Sequence, residues 1–268
     1  STVSSMTVLI AALPMGYLAD RIGRKLSLVI SAVLIGFSML VMVSFPSVTI
    51  LIITNITLGL GSSLGGVVSG PFLMENSGDL ERTYLFSISS GLRMAAFSIG
   101  DWVGGYLPTW FGGIFDVSIV SPTAYAWSIR IAGGLVILAV IPRLLLHHTE
   151  LPFGERSSFA PLSFARQHPK ALTKLLLPLF ITSIGAGLIM PFMNIFFSNV
   201  HHQPDPVIGT MFAWGSLAMG VGLILAPAFA DRYGKIWVVV FSQGLSIPFL
   251  ILLGFSPVFG LSALAYFV

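Results

Sequence analysis

A short charged segment lies between long apolar runs of this sequence, and it occurs twice. The first copy is GYLADRIGRK, residues 16–25, and the second is AFADRYGK, residues 228–235. Each copy has an aspartate and an arginine before a glycine, and a basic residue after it. A carboxylate can cap the positive start of a helix, and glycine permits a tight turn, so both copies predict charged hairpin loops. No nucleophile–base set and no phosphate-binding glycine loop accompanies them, so we predict no catalytic residue and no cofactor.

A few polar residues lie inside long apolar runs, where an unpaired charge costs several kcal/mol in lipid. Arg93 is interpreted either as a cavity residue that binds an anionic group or a coupling carboxylate, or as half of a structural ion pair. Asp101 and Arg130 are expected at similar depth on neighbouring helices. A structural pair is the first interpretation, and a proton-carrying Asp101 is the second. Asn55 and Asn194 could contact a substrate or bridge helices.

One histidine pair raises the question of a metal. His201 and His202 lie near Asp205 without a fourth ligand and without helical spacing. We therefore interpret them as part of a solvated loop and predict no metal site.

The composition indicates which solvent surrounds these groups. The 268 residues are 55% hydrophobic and only 9% charged, whereas a soluble domain carries about 25% charged residues. The bilayer is therefore the expected solvent, and helices are expected because each satisfies its own backbone hydrogen bonds. Apolar runs long enough to span it occur at roughly 1–18, 26–45, 48–74, 83–107, 122–146, 174–197, 207–229 and 236–255, with a partial run at 258–268.

The lysines and arginines predict how these spans are oriented. All that lie outside the spans fall in segments on one side, and the opposite loops carry Asp116, His201, His202 and Asp205 as their only ionisable residues. The positive-inside rule makes the basic side cytoplasmic, including the 20–25 loop. That side holds Arg21, Arg24, Lys25, Arg82, Arg143, Arg156, Arg166, Lys170, Lys174, Arg232 and Lys235.

The first loop resembles the signature loop of the major facilitator superfamily of transporters, which lies between helices 2 and 3 of that family. The second copy resembles the family's weaker repeat between helices 8 and 9, with Pro227 in place of Gly16. The resemblance implies an all-α polytopic membrane protein, made of two pseudo-symmetric helical bundles and truncated at both ends. The first bundle is expected at 1–146 (helices 2–6), a cytoplasmic linker at 147–173, and the second bundle at 174–268 (helix 7 to the start of helix 10).

For the charged loops, the resemblance implies a gate. In the family, the loop acid and a basic residue form a relay with an acid at the inner end of helix 4, where this chain has Glu75. We expect a relay of Asp20, Arg24 and Glu75, whereas a matching relay around Asp231 would need the end of the family's helix 10, which we expect to be missing from this sequence. The predicted gating residues are Gly16, Asp20, Arg21, Gly23, Arg24, Lys25, Glu75, Asp231, Arg232, Gly234 and Lys235.

Helix 5 of the family also carries a glycine motif in antiporters. Here it reads GDWVGG, residues 100–105, with Asp101 where those antiporters have proline, so it is a weak indication of antiport and export. The arginine that drug exporters carry in helix 4 is missing near Asn55, which argues against the usual drug–proton assignment. Glycines four apart, such as Gly100 and Gly104, are expected to pack helices closely.

The leading hypothesis is secondary active transport of a small solute by alternating access, coupled to a proton or another ion. The expected partners are lipid and the solute, with no nucleic acid, and the expected location is the plasma (cell inner) membrane. The alternative is a receptor or scaffold that keeps the fold and transports nothing. An intramembrane enzyme is disfavoured, because Asp101 is the only acid deep in a span.

Overall fold

The helices of the first half follow one another with short connections. A computed structural model describes residues 2–78, 81–118, 120–146 and 167–267, and its regular structure in those ranges is helical. The first half comprises α1 (Thr2–Ile22), α2 (Arg24–Ser44), α3 (Val48–Glu75), α4 (Arg82–Phe115), α5 (Pro122–Leu138) and α6 (Val140–Leu144).

The second half follows the same pattern after residue 167. It comprises α7 (Pro169–Ile189), a 3-10 turn (Met190–Phe192), α8 (Met193–Asn199), α9 (Asp205–Tyr233), α10 (Lys235–Phe255) and α11 (Phe259–Phe267). The helical expectation is thus confirmed for every predicted span.

Local signals account for several helix ends. The Ser47 hydroxyl accepts a hydrogen bond from the Ile50 amide at 3.3 Å, and Ser121 accepts one from Ala124 at 3.2 Å. Both serines cap free N–H groups at a helix start, and Pro122 follows at a first position that needs no amide donor. These caps set where α3 and α5 begin.

The predicted bounds differ from the observed ones at three places. The span predicted at 83–107 continues to Phe115, because Pro108 lies inside α4 without ending it. The span at 122–146 is divided between α5 and α6 at Ala139. The span at 174–197 is interrupted by the 3-10 turn, where Pro191 cannot donate to the helical ladder. Of the predicted linker, 147–166 lies outside the described residues, and 169–173 already belongs to α7.

Seven helical stretches in the described ranges are long and apolar enough to cross a membrane. The helix α4 is not among them, although it is the longest, with 34 residues. It carries Arg93 and Asp101 within its length, which lower its hydropathy. This more polar helix makes the most extensive contact with the other half of the chain, along α9. Large apolar side chains elsewhere face outward, such as Ile236 and Phe255, as expected for lipid contact.

The halves have separate buried clusters among the described residues. In the first half, Ala19, Leu28, Leu64 and Val68 pack together where α1, α2 and α3 meet. In the second half the cluster draws on α8, α9, α10 and α11, and its members include the fully buried Phe197. Each half therefore has an apolar core of its own.

Hydroxyl groups and glycines bring the first helices close. Ser31 of α2 donates to the Gly61 carbonyl of α3 at 2.8 Å, and Ser38 bonds to Thr57 at 2.6 Å. Such contacts replace the hydrophobic driving force that helices lack in lipid.

Candidate functional site

Two ends of the helical assembly frame the candidate site. The end that contains the α1–α2 turn, the α3–α4 connection and the α9–α10 turn is called the basic end. The far end is the opposite one, where α5 and α9 begin. The predicted gating residues lie at the basic end.

The first charged loop turns on Gly23, which lies between α1 and α2. Its φ of 90° belongs to the region that glycine adopts far more easily than other residues. Its amide donates to the Ala19 carbonyl at 3.0 Å, and its own carbonyl accepts from the Ser27 amide at 3.1 Å. The turn is therefore held from both sides by backbone bonds. Gly16 is different: it lies inside α1, and no described atom lies within 4 Å of where its Cβ would be.

Arg24 connects two carboxylates at this turn. Its Nη1 lies 2.9 Å from Asp20 Oδ1, and its Nε donates to Glu75 Oε1 at 3.3 Å. The Arg24 and Glu75 side chains are only 25% and 20% exposed, whereas that of Asp20 is 58% exposed. The guanidinium thus joins the α1–α2 loop to the last residue of α3, and the contact with Glu75 is the better shielded of the two. The predicted trio is in contact, and its role as a gate stays a prediction.

Other cations at the basic end have different partners. Arg143 of α6 donates from Nη1 to the Leu28 carbonyl at 2.6 Å, which ties α6 to α2. The Arg21 guanidinium lies 5.4 Å from the centre of the Tyr17 ring. Sequence reasoning placed Arg143 on this side but gave no indication of its partner, since a backbone carbonyl leaves no signature in sequence.

The second charged loop repeats the turn of the first. Gly234 has φ 87°, and its amide donates to the Ala230 carbonyl at 2.9 Å. The guanidinium of Arg232 lies 5.3 Å from the centre of the neighbouring Tyr233 ring. Among the described residues Lys235 forms no ion pair, although it occupies the position equivalent to Arg24.

The acid of the second loop has a partner that the sequence did not predict. Asp231 Oδ2 accepts a hydrogen bond from the Tyr84 hydroxyl at 3.3 Å, so the bond joins the end of α9 to the start of α4. No sequence signal pointed to Tyr84, since it lies in the other half.

The seam between the halves is the contact of α4 with α9. A Cβ on Gly209 would lie 2.8 Å from the Gly105 Cα, and one on Gly91 would lie 3.1 Å from the Gly220 carbonyl oxygen. Close approach therefore depends on these four glycines. Gly100 and Gly104, which were expected to pack, have no described atom within 4 Å of an added Cβ, because they face the cleft.

A cleft of about 270 Å³ opens beside this seam at the far end. Four glycines form part of its wall, and none of the described residues that line it is basic. Its polar lining consists of Asp101, Tyr125, Ser128, Asn194 and Asp205. Two predicted pathway residues, Asp101 and Asn194, thus meet here. Tyr125 and Asp205, which the sequence analysis did not assign to a pathway, face the same space.

The carboxylates of the cleft are hydrogen-bonded within the protein. Ser216 of α9 donates to Asp101 Oδ2 at 2.8 Å, across the seam. The Tyr125 hydroxyl donates to Asp205 Oδ2. Both bonds join the first half to α9.

The predicted pair of Asp101 with Arg130 is not among the salt bridges formed by the described residues, and it stays a prediction. Arg130 instead lies over the Trp127 ring, 4.8 Å from its centre, one turn back along α5. Its neighbours Ser128 and Ile129 face the cleft, and Arg130 is not among the described lining residues.

The remaining candidates lie away from the cleft. Arg93 is exposed on α4 and makes no ion pair with a described residue. Asn55 donates to the Leu51 carbonyl of its own helix at 2.7 Å. His201, expected in a solvated loop, packs with its ring centre 5.2 Å from that of Phe196. The described residues contain no group of three metal-ligating side chains.

Comparison with known proteins gives the class to which this architecture belongs. The family model described as Major Facilitator Superfamily matches residues 1–268, and the chain belongs to this superfamily. A human protein named "Solute carrier family 2, facilitated glucose transporter member 12" is 33% identical over 89 residues, which are 32% of this chain and 14% of that protein.

A second relative covers most of the chain. The "Quinolone resistance protein NorA" of Staphylococcus aureus is 23% identical over 252 residues, which are 90% of this chain and 60% of that protein. The chain therefore spans less than two thirds of the length of either relative.

Proposed function

We propose that the protein moves a small solute across a membrane by alternating access, as a transporter and not as an enzyme. The observation that carries the proposal is the cleft beside the α4–α9 seam. It is a polar space, with carboxylate, hydroxyl and amide groups, inside a protein whose outer surface is apolar. Asp101 lies well inside α4, where a charge is costly unless it faces a partner, water or a ligand, so its place on a cleft between the two halves favours a solute path.

The moving parts we propose are two helical bundles, at 1–146 and 174–268, joined by a linker at 147–173. The separate apolar cores of the halves support this division. We place the basic end in the cytoplasm and the protein in the plasma (cell inner) membrane, because loops rich in lysine and arginine are retained on the cytoplasmic side. Lipid is then a partner of every outward-facing helix.

We propose that Arg24 and its two carboxylates steady the state in which the basic end is closed, by fixing the corner where α1, α2 and α3 meet. Arg24 holds the α1–α2 loop against the end of α3, and the Glu75 contact is half-buried, so breaking it is costly. A gate needs a contact that is strong enough to favour the closed state and weak enough to break when the end opens. The other loop residues, Arg21, Lys25, Arg232 and Lys235, keep this end in the cytoplasm.

Coupling to a proton is the finer part of the proposal, with Asp101 as the carrier. Its carboxylate lies on the cleft and bonds to Ser216 of the other half, so a proton on it weakens a bond across the seam. The GDWVGG segment, residues 100–105, favours export over uptake. Asn194 contributes an amide to the same space as a solute contact.

The proposal is tested by flux through the full-length protein in sealed vesicles. The names of the relatives suggest two probes, glucose and a fluorescent quinolone. Each probe is measured with and without an imposed pH gradient, beside vesicles that lack the protein. Transport of a probe supports the function, and stimulation by the gradient supports coupling.

Two variants separate the gate from the path. We expect Glu75→Gln to lower flux through the gate and Asp101→Asn to lower the response to the pH gradient. Lys174→Gln, an exposed charge on α7, is the matched neutralisation and should leave flux unchanged. Solute binding without flux in any condition would contradict transport and favour a receptor that keeps the fold.

A further inference from the structure

Tyrosine–aspartate hydrogen bonds fasten both ends of α9 to the first half. At the basic end, Tyr84 donates to Asp231 at 3.3 Å. At the far end, Tyr125 donates to Asp205. A phenol that donates to a carboxylate makes a charge-assisted bond, which is stronger than one between neutral groups.

The two pairs lie at opposite ends of the seam between α4 and α9. Asp205 is the first residue of α9 and Asp231 lies in its last turn, about 39 Å apart at 1.5 Å per residue. Between them α4 and α9 touch at their glycines and through Asp101 and Ser216. If one half rocks on the other about this seam, the ends of α9 move in opposite directions.

We propose that the two pairs are opposed latches, each of which breaks when its own end opens. The inference rests on the alternating access proposed above. Both bonds are formed in this structure, so both ends of the seam are held, and opening at either end breaks one bond and keeps the other. The far-end pair lines the cleft, so its release widens the cleft at that end. The basic-end pair gives the second loop copy a task that the first copy does not have.

Cysteine labelling can test this directly, because residues 1–268 contain no cysteine, and any cysteine elsewhere in the full-length protein is first replaced by serine. The reporter is Asn194→Cys, an exposed position on the cleft wall, in the full-length protein. A membrane-impermeant maleimide is applied from the side that the far end faces, without solute. We expect Tyr125→Phe to raise the labelling rate about three- to tenfold, the effect of losing one hydrogen bond. Tyr84→Phe should lower the rate by a similar factor.

Matched variants guard against loss of folding. Tyr106→Phe removes a phenol from α4 that makes no hydrogen bond with a described residue, and the rate should not change. Asp205→Asn and Asp231→Asn should each reproduce the direction of the tyrosine partner. A second reporter, Gly104→Cys, lies on the same cleft and has space for a side chain.

The sign of the response decides the outcome. Opposite shifts with both reporters support the latches. Shifts in the same direction, or no shift in either variant, overturn them and leave the pairs as packing contacts. Labelling requires no solute, so flux without a labelling shift contradicts the latches alone, whereas absent flux contradicts the proposed function.

Discussion

The loop between α1 and α2 and the loop between α9 and α10 turn on glycines with nearly the same backbone, at φ 90° and 87°. Their acids have different partners. Asp20 bonds to Arg24 within the first half, and that guanidinium continues to Glu75. Asp231 bonds across the seam to Tyr84. A repeated sequence therefore fixes a repeated turn, and the partners depend on which helix ends lie beside it.

We propose that each loop has a separate mechanical task. The contacts of the first loop join three helices of its own half, whereas the contact of the second loop joins one half to the other. A substitution in the first loop should act through the stability of that corner. One in the second loop should act through the distance between the halves.

The largest predicted effect concerns the glycine turn that the two loops share. Gly23→Ala and Gly234→Ala each force a side chain into a backbone region that glycine alone adopts readily, so each should lose about 3 kcal/mol of stability. Thermal unfolding of the purified protein in detergent measures the loss. Gly16→Ala is the control, since Gly16 lies in a helix with open space beside it and should be neutral or slightly stabilising. Tolerance of alanine at one turn alone would show that the two turns differ.

The next effect distinguishes the loops at equivalent positions. Arg24→Gln leaves the half-buried Glu75 without its cation, and we expect a loss of about 2 kcal/mol in unfolding free energy. Lys235→Gln should cost much less, because Lys235 forms no ion pair in the described part of the chain. Unfolding of the two variants side by side makes the comparison. Equal losses would mean that Lys235 has a partner of similar strength and that the loops are alike.

The fold was largely readable from sequence, and the site only in part. Apolar runs specify helices through a local requirement, the satisfaction of backbone bonds in lipid, so every predicted span is a helix. The Arg24 trio could be anticipated because a known loop pattern named its members. Tyr84 could not, because its partner is far away in sequence. The pairing of Arg130 with Asp101 was expected from the depth of the two residues along neighbouring helices, and depth alone does not give the direction of either side chain.

A smaller effect tests the bond between the halves. Tyr84→Phe and Asp231→Asn should each cost about 1 kcal/mol, and the double variant should cost no more than either alone. The cycle is measured by unfolding, with Tyr106→Phe combined with Asp231→Asn as the uncoupled pair. Additive losses in the Tyr84 cycle would show that the bond does not form in solution, and the second loop would then have lost its contact across the seam.

The smallest effect separates the two acids that share Arg24. The Asp20 side chain is 58% exposed, so its ion pair is screened by water, and Asp20→Asn should cost about 0.5 kcal/mol or less. At 1 M salt the screening length shrinks to about 3 Å, and this loss should vanish. Glu75→Gln should keep most of its cost at the same salt, because its carboxylate is 20% exposed and is less reached by ions. The measurement is unfolding at low and high salt. If instead Asp20→Asn cost more than Glu75→Gln and kept its cost at high salt, the α1–α2 loop would be held by its own acid and not by α3. Asp20 and Asp231 would then differ only in how far along the chain their partners lie.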